Sequence, residues 1–189
     1  MGRVTFKEMA MARIQPVEVS EAQGKVKETF GQIERGLGRV PGMFRTLGRS
    51  PAALQAMWGF FGAMGGSTLP AKLREQIALA VGQANGCGYC VDAHAAIGKH
   101  AGLTDAEVEA ARRWRAGDAR SQAALHFASA LLEKKGHVSD ADVAAVRAAG
   151  FDDGQVLEIL AVVMQNVFTN WVNHVAETAS DFPPAPALR

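Results

Sequence analysis

The sequence has no surplus of either charge: 20 Lys+Arg stand against 19 Asp+Glu over 189 residues, a formal net charge of +1. Its basic residues are scattered, the densest group being Arg112, Arg113 and Arg115. There is therefore no electrostatic footprint for nucleic acid or for an anionic membrane surface, and neither is an expected partner. Met1 to Val19 lacks a hydrophobic run leading to a small-residue cleavage site, and Met11 is an alternative start. No secretory signal is read there, so the expected location is the cytoplasm. The uncharged stretch from Ser50 to Ala71 is interrupted by Pro51, Pro70, Gly59, Gly62, Gly65 and Gly66, and reads as a buried helix, not a membrane span. No glycine loop follows a strand, so no nucleotide cofactor is expected.

Strand signals are missing as well. No run of alternating Val, Ile, Thr or aromatic residues is bounded by turn residues, whereas helix signals recur. Thr104 with Glu107 forms a capping box, stapled by Leu103 and Val108, and opens a helix to about Trp114. Ser139 with Asp142, stapled by Val138 and Val143, opens another that stops at Gly150. Ser20 with Gln23 starts an N-terminal helix ending between Gly36 and Gly38, and Asp118 caps one running to Gly136. Pro51 and Pro70 sit where a first turn accepts proline. Residues 39–54 read as a turn, a short helix and a proline-started helix. The expected class is all-α, one domain over residues 1–189 with an N-terminal extension at 1–18 and a helical hairpin at 69–103.

Two segments, Gln76 to Asn85 and Ile159 to Val172, carry no charge on any face and are expected to be buried all round. A chain of this length encloses about one such helix completely. Two of them point to burial between subunits of an oligomer. Met43, Met57, Met64 and Met164, with Trp58, Phe60 and Phe61, read as core packing.

Only two cysteines are present, too few for a disulfide scaffold, and they stand three apart at Cys87 and Cys90. The surrounding Glu75 to His94 segment reads EQIALAVGQANGCGYCVDAH. Asn85 and Gly86 break one helix, and the cysteines open the next, where free backbone N–H groups and the helix dipole stabilise a thiolate. Cys90 and His94, four apart, share a helical face, and Cys87 can close a disulfide with Cys90 across the turn. At about 1.5 Å per residue, an antiparallel hairpin brings Glu75 and His94 to similar heights. Such a set suits peroxide attack: an imidazole takes the thiol proton, a carboxylate orients the imidazole, and a second thiol condenses with the sulfenic acid.

Other readings compete. Cys87, Cys90 and His94 with Glu75 or His100 could bind zinc, but there is no second C-x-x-C and no obvious fourth soft ligand, so no metal is expected. Covalent haem is excluded because Val91 follows Cys90, and a thioredoxin-type site needs strands. Two inert buried thiols are the plainest alternative. The order of the thiols is ambivalent: the helix N-terminus favours Cys87 as the lower-pKa thiol, and the spacing to His94 favours Cys90, which we adopt. Tyr89 is read as packing beside the site, and His100, His126 and His137 receive no role.

Aligning Glu158 with Glu75 puts Asn170, Asn173 and Glu177 at the places of Cys87, Cys90 and His94. A true second copy would break its helix near Thr169. Asn166, Asn170 and Asn173 or His174 form a polar stripe on an apolar helix, read first as interhelical hydrogen bonding.

The spacing Glu75, Cys87, Cys90, His94 resembles the signature of the alkylhydroperoxidase D family within the carboxymuconolactone decarboxylase-like superfamily. The core resemblance covers residues 69–103, with looser likeness over 40–51 and through the closing helix to Asp181, Phe182 and Pro183. It implies an all-α multi-helical bundle, trimeric or hexameric assembly, and thiol-dependent reduction of hydroperoxides by a thiol or lipoyl-type donor. It implies Cys90 as the attacking thiol, Cys87 as the resolving thiol, and Glu75 with His94 as the proton relay. The alternatives are a lactone decarboxylase using Glu75 and His94 alone, or a zinc-bound or redox-sensing interaction protein.

Overall fold

A computed structural model describes residues 12–188; residues 1–11, including Met11, and Arg189 lie outside the described residues. The described residues form helices and no strand. After a 3-10 turn at Val19–Glu21 come α1 (Gly24–Leu37), α2 (Gly42–Leu47), α3 (Pro51–Met64), α4 (Ala71–Ala84) and α5 (Gly88–His100). They are followed by α6 (Asp105–Ala111), α7 (Ala119–Glu133), α8 (Asp140–Ala148) and α9 (Asp153–Ala176). Among the described residues no helix is long and apolar enough to cross a membrane.

The predicted starts hold at four helices. Thr104 and Ser139 close full capping boxes on α6 and α8, Asp118 accepts from Ser121 N–H at the start of α7, and Pro51 opens α3. The expected start at Ser20 does not: that residue lies in the 3-10 turn, Ala22 and Gln23 are extended, and α1 begins at Gly24. Ala22 is 6% exposed, and seating it in the core draws the chain out of helical geometry. The helix opened by Thr104 also ends early, at Ala111, and turns back at Trp114, which has φ +60°.

Helix α4 is the axis of the bundle. Residues 76–82 are all buried, as their lack of charge predicts. One side of α4 gives Leu73, Ile77 and Val81 to a core shared with α7 and α9, and Leu79 joins Ala95, Leu103 and Val108 on another side. A further core gathers Phe30 and Ile33 of α1, Phe44 of α2, Leu54 of α3 and both cysteines. Complete burial of a Leu, Ile or Phe is worth about 1.5–3 kcal/mol each, so these clusters fix where α4 and α5 lie.

Two features of the closing helix bear on the sequence reading. Helix α9 is continuous from Asp153 to Ala176, so the break that an internal repeat requires near Thr169 is absent. Within one chain it is not buried all round, and the side left open is the one that the expected burial between subunits would cover. Leu157 (65%), Met164 (50%), Phe168 (43%), Trp171 (62%) and Val175 (57%) stand exposed along it. Met164 is thus not core, unlike Met43 and Met57.

Candidate active site

The hairpin of α4 and α5 builds the site. Asn85 ends α4, and Gly86, at φ +70°, makes the left-handed step that glycine tolerates best. Cys87 is the N-cap of α5 and Cys90 lies in its first turn, with Cys90 N–H donating to Cys87 Sγ at 3.4 Å. At the other end Gly98 lets the helices close: a Cβ there would meet Leu103 Cδ1 at 2.7 Å and Glu75 Cβ at 3.5 Å. This close approach sets Glu75 Oε2 2.7 Å from His94 Nδ1, as the hairpin geometry predicted.

Glu75 and His94 are mostly enclosed, with 17% and 16% of their side chains exposed. Burial pulls the His94 pKa down, but the Glu75 charge and hydrogen bond, aided by Cys87 and Asn166, outweigh it and hold it above the ordinary value. With Nδ1 engaged by Glu75, Nε2 is left to exchange protons.

Both thiols are free and buried, Cys87 at 1% and Cys90 at 3% exposure. They share their ionisation unequally. Hydrogen bonds from the Cys90 thiol and backbone N–H and from Asn173 lower Cys87 despite its burial. Cys90 is pushed up because Cys87 holds its proton and because it is buried. These hydrogen bonds favour the thiolate at Cys87 over Cys90, the direction that the helix N-terminus also favours. Access points the other way. Cys90, with His94, lines an apolar pocket of about 90 Å³ that includes Phe44, Phe61, Tyr89 and Asn173; Cys87 does not line it. A more polar cavity of about 160 Å³ shares His94 and Phe61 and adds Glu75, Gln165 and Asn166.

Helix α9 contributes what the motif alone did not assign. Asn173 Nδ2 lies 3.2 Å from Cys90 Sγ and 4.0 Å from Cys87 Sγ. Asn170 is fully buried, accepts from Asn85 Nδ2 at 2.8 Å, and lowers Cys90 with its own side chain. The asparagine stripe thus joins interhelical bonding at Asn170 to thiol contact at Asn173, while the exposed His174 stands apart. Glu158 does not take the place of Glu75. It accepts from Ser67, Thr68 and Leu69 and so fixes the turn that leads into α4.

Tyr89 packs as read from the sequence. Its ring meets Phe182 edge-on at 5.6 Å, and its hydroxyl accepts from Met43 N–H at 3.2 Å. Among the described residues no group of three His, Cys, Asp or Glu side chains converges in a way that could hold a metal ion.

Comparison with known proteins agrees with this architecture. Residues 51–134 match the carboxymuconolactone decarboxylase family. The chain is 40% identical over 77 residues to the alkyl hydroperoxide reductase AhpD of Azorhizobium caulinodans, a match covering 33% of this chain and 42% of that protein. It is 32% identical over 93 residues to an alkyl hydroperoxide reductase of Mycobacterium tuberculosis, covering 49% of this chain and 27% of that one. The chain spans less than half the length of these relatives. The crystal structure of an alkylhydroperoxidase AhpD core, an uncharacterized peroxidase-related protein from Ralstonia eutropha JMP134, matches with a TM-score of 0.81 at 24% identity, over 90% of this chain and 93% of that one. At that identity the likeness is one of fold. Residues 51–134 thus carry a carboxymuconolactone decarboxylase-family match, and the fold as a whole is similar to that of AhpD-like proteins.

Proposed function

We propose that the protein is a thiol peroxidase that reduces hydroperoxides through a disulfide cycle of Cys90 and Cys87. The observation that carries this reading is that Cys90 lines the apolar pocket beside His94 while a second free thiol lies against it. An alkyl hydroperoxide places its chain against Phe44 and Phe61 and its terminal oxygen at Cys90. The Cys90 proton passes to the Cys87 thiolate, so charge moves to the sulfur that faces the substrate. Cys90 Sγ then attacks the terminal oxygen; the O–O bond breaks, Cys90 becomes a sulfenic acid, and the departing alkoxide takes a proton from the imidazolium of His94.

Neutral His94, held by Glu75, next takes the Cys87 proton. Cys87 Sγ attacks Cys90 Sγ, the S–O bond breaks, and the hydroxide leaves as water with that proton. A dithiol of lipoyl or similar type returns two electrons. Two unpaired thiols fit a reducing cytoplasm. The apolar stripe of α9, from Leu157 to Val175, supports self-association, because exposed apolar rows of this kind mark interfaces. Glu75 and His94 could also move a proton on a lactone without thiols; the placement of Cys90 in the pocket favours redox chemistry over that alternative.

The test is turnover of cumene hydroperoxide with dithiothreitol as donor. Wild type should consume peroxide, Cys90→Ser should abolish the catalysed rate, and Cys87→Ser should lower it to what dithiothreitol sustains by reducing the Cys90 sulfenic acid itself. Full activity in both variants would overturn the reading.

A further inference from the structure

The two cysteines open toward different surfaces. Cys90 lines the apolar pocket, whereas Cys87 lines a separate groove of about 280 Å³ with Gly88, Asp92 and Arg112. One wall of that groove is the irregular segment after α9, at Ala185, Pro186 and Ala187. The segment is tied down at two points. Asp92, on α5 two residues beyond Cys90, accepts from Ser180 Oγ and from Ala185 N–H, both at 2.9 Å. Arg112 donates to the Pro186 carbonyl at 2.5 Å and is itself braced by Gln83 at 2.9 Å. With the segment in place Cys87 is only 1% exposed, too enclosed for an incoming thiolate to approach its sulfur.

We propose that this groove receives a vicinal dithiol reductant and that residues 183–188 are a releasable strap over it. The inference rests on the disulfide cycle proposed above and assigns its second half to a second opening. A thiolate of the dithiol attacks Cys87 Sγ of the Cys87–Cys90 disulfide. The S–S bond breaks, Cys90 leaves as a thiolate, and a mixed disulfide forms on Cys87. The second thiol of the donor, as its thiolate, attacks the donor sulfur of that bond and releases Cys87; the donor departs as a disulfide, two electrons poorer. Substrate and reductant thus enter from different sides, and the apolar pocket stays closed to polar thiols. The strap is anchored by side chains and by the packing of Ala185 against the Leu79 and Leu103 cluster, not by a ladder of backbone bonds, so it opens at the cost of a few hydrogen bonds and one small apolar contact.

The test starts from full-length protein oxidised with diamide, so that it is readable whether or not hydroperoxides react. Recovery of free thiols is followed by quenched alkylation after adding dithiothreitol. Arg112→Ala should speed reduction about fivefold, as loss of one ordinary hydrogen bond holding a closed state does, and Asp92→Ala, which loses two, should speed it about twentyfold. Gly88→Leu has open space for its side chain and should slow reduction by a similar factor. Oxidation of the reduced proteins by cumene hydroperoxide should match wild type in all three. Unchanged reduction rates in Asp92→Ala and Gly88→Leu would overturn the proposal. Failure of hydroperoxide to oxidise wild type would instead remove the peroxidase reading. Repeating the reduction with dihydrolipoamide, free or borne on a lipoyl domain, separates the donors: a gain from strap release confined to the domain-borne form assigns a protein partner, and an equal gain assigns a free dithiol.

Discussion

Asn173 and Cys90 are 83 positions apart in the chain, yet the Asn173 amide nitrogen lies 3.2 Å from the Cys90 sulfur. The contact joins the closing helix to the first turn of α5 and lowers the pKa of both thiols. Asn173→Leu keeps an apolar group of similar size and removes the donor. A hydrogen bond to a charged group is worth about 1.5–3 kcal/mol, so single-turnover oxidation by hydroperoxide should slow about tenfold to a hundredfold. The pH profile of iodoacetamide alkylation should move upward with it. An unmoved profile would show that the amide does not act on the sulfurs.

The pair of Glu75 and His94 makes stability depend on pH with a definite sign. His94 is held above its ordinary value of about 6.5. The stability it contributes is fully present below the unfolded-state value and is lost as pH rises through the folded-state value. Glu75→Gln should therefore cost most near pH 6 and least near pH 9 in paired denaturation curves, with activity reduced at every pH. A cost that grows with pH would contradict the assigned direction.

Glu158 gives the opposite sign. Burial raises its pKa, but bonds from Thr68, Ser67 and Leu69 overcome this and hold it below the ordinary value. Its contribution is present above the unfolded-state value of about 4.3 and is lost as pH falls through the lowered one. Glu158→Gln should be less stable than wild type at pH 7, and the deficit should shrink as pH falls below about 4.3. A deficit independent of pH would assign the loss to packing.

These residues also mark how far the sequence could be read. Capping boxes at Thr104 and Ser139 depend on side chains three positions apart, so local chemistry revealed them. The hairpin of α4 and α5 was equally legible, because Asn85 and Gly86 break the chain and helical rise then sets Glu75 beside His94. The start of α1 was not, because burial of Ala22 decides it from outside the segment. Nor was the partner of Cys90: the asparagine stripe on α9 was visible, but which of its amides meets a sulfur depends on how α9 packs across α4 and α5. Which thiol the shared hydrogen bonds favour as thiolate and which one lines the apolar pocket are separate matters, and both depend on packing beyond the motif.

Trp171 and Phe168 test the assembly. Both are partly exposed, at 43% for Phe168 and 62% for Trp171, so replacing them spares the fully buried core of the described fold. Wild type should run as an oligomer in light scattering, and Trp171→Glu combined with Phe168→Glu should run at the monomer mass with unchanged helical circular dichroism. A monomeric wild type would leave the α9 stripe without a self-association role.

The roles of Cys90 and Cys87 are tested most directly by trapping the first oxidised sulfur. One equivalent of cumene hydroperoxide is added to reduced protein, with dimedone present for the single-cysteine variants, and the products are mapped by mass spectrometry. The predicted results are a Cys87–Cys90 disulfide in wild type, a dimedone adduct on Cys90 in Cys87→Ser, and no adduct in Cys90→Ser. An adduct on Cys87 in Cys90→Ser, with Cys90 inert in Cys87→Ser, would contradict the account.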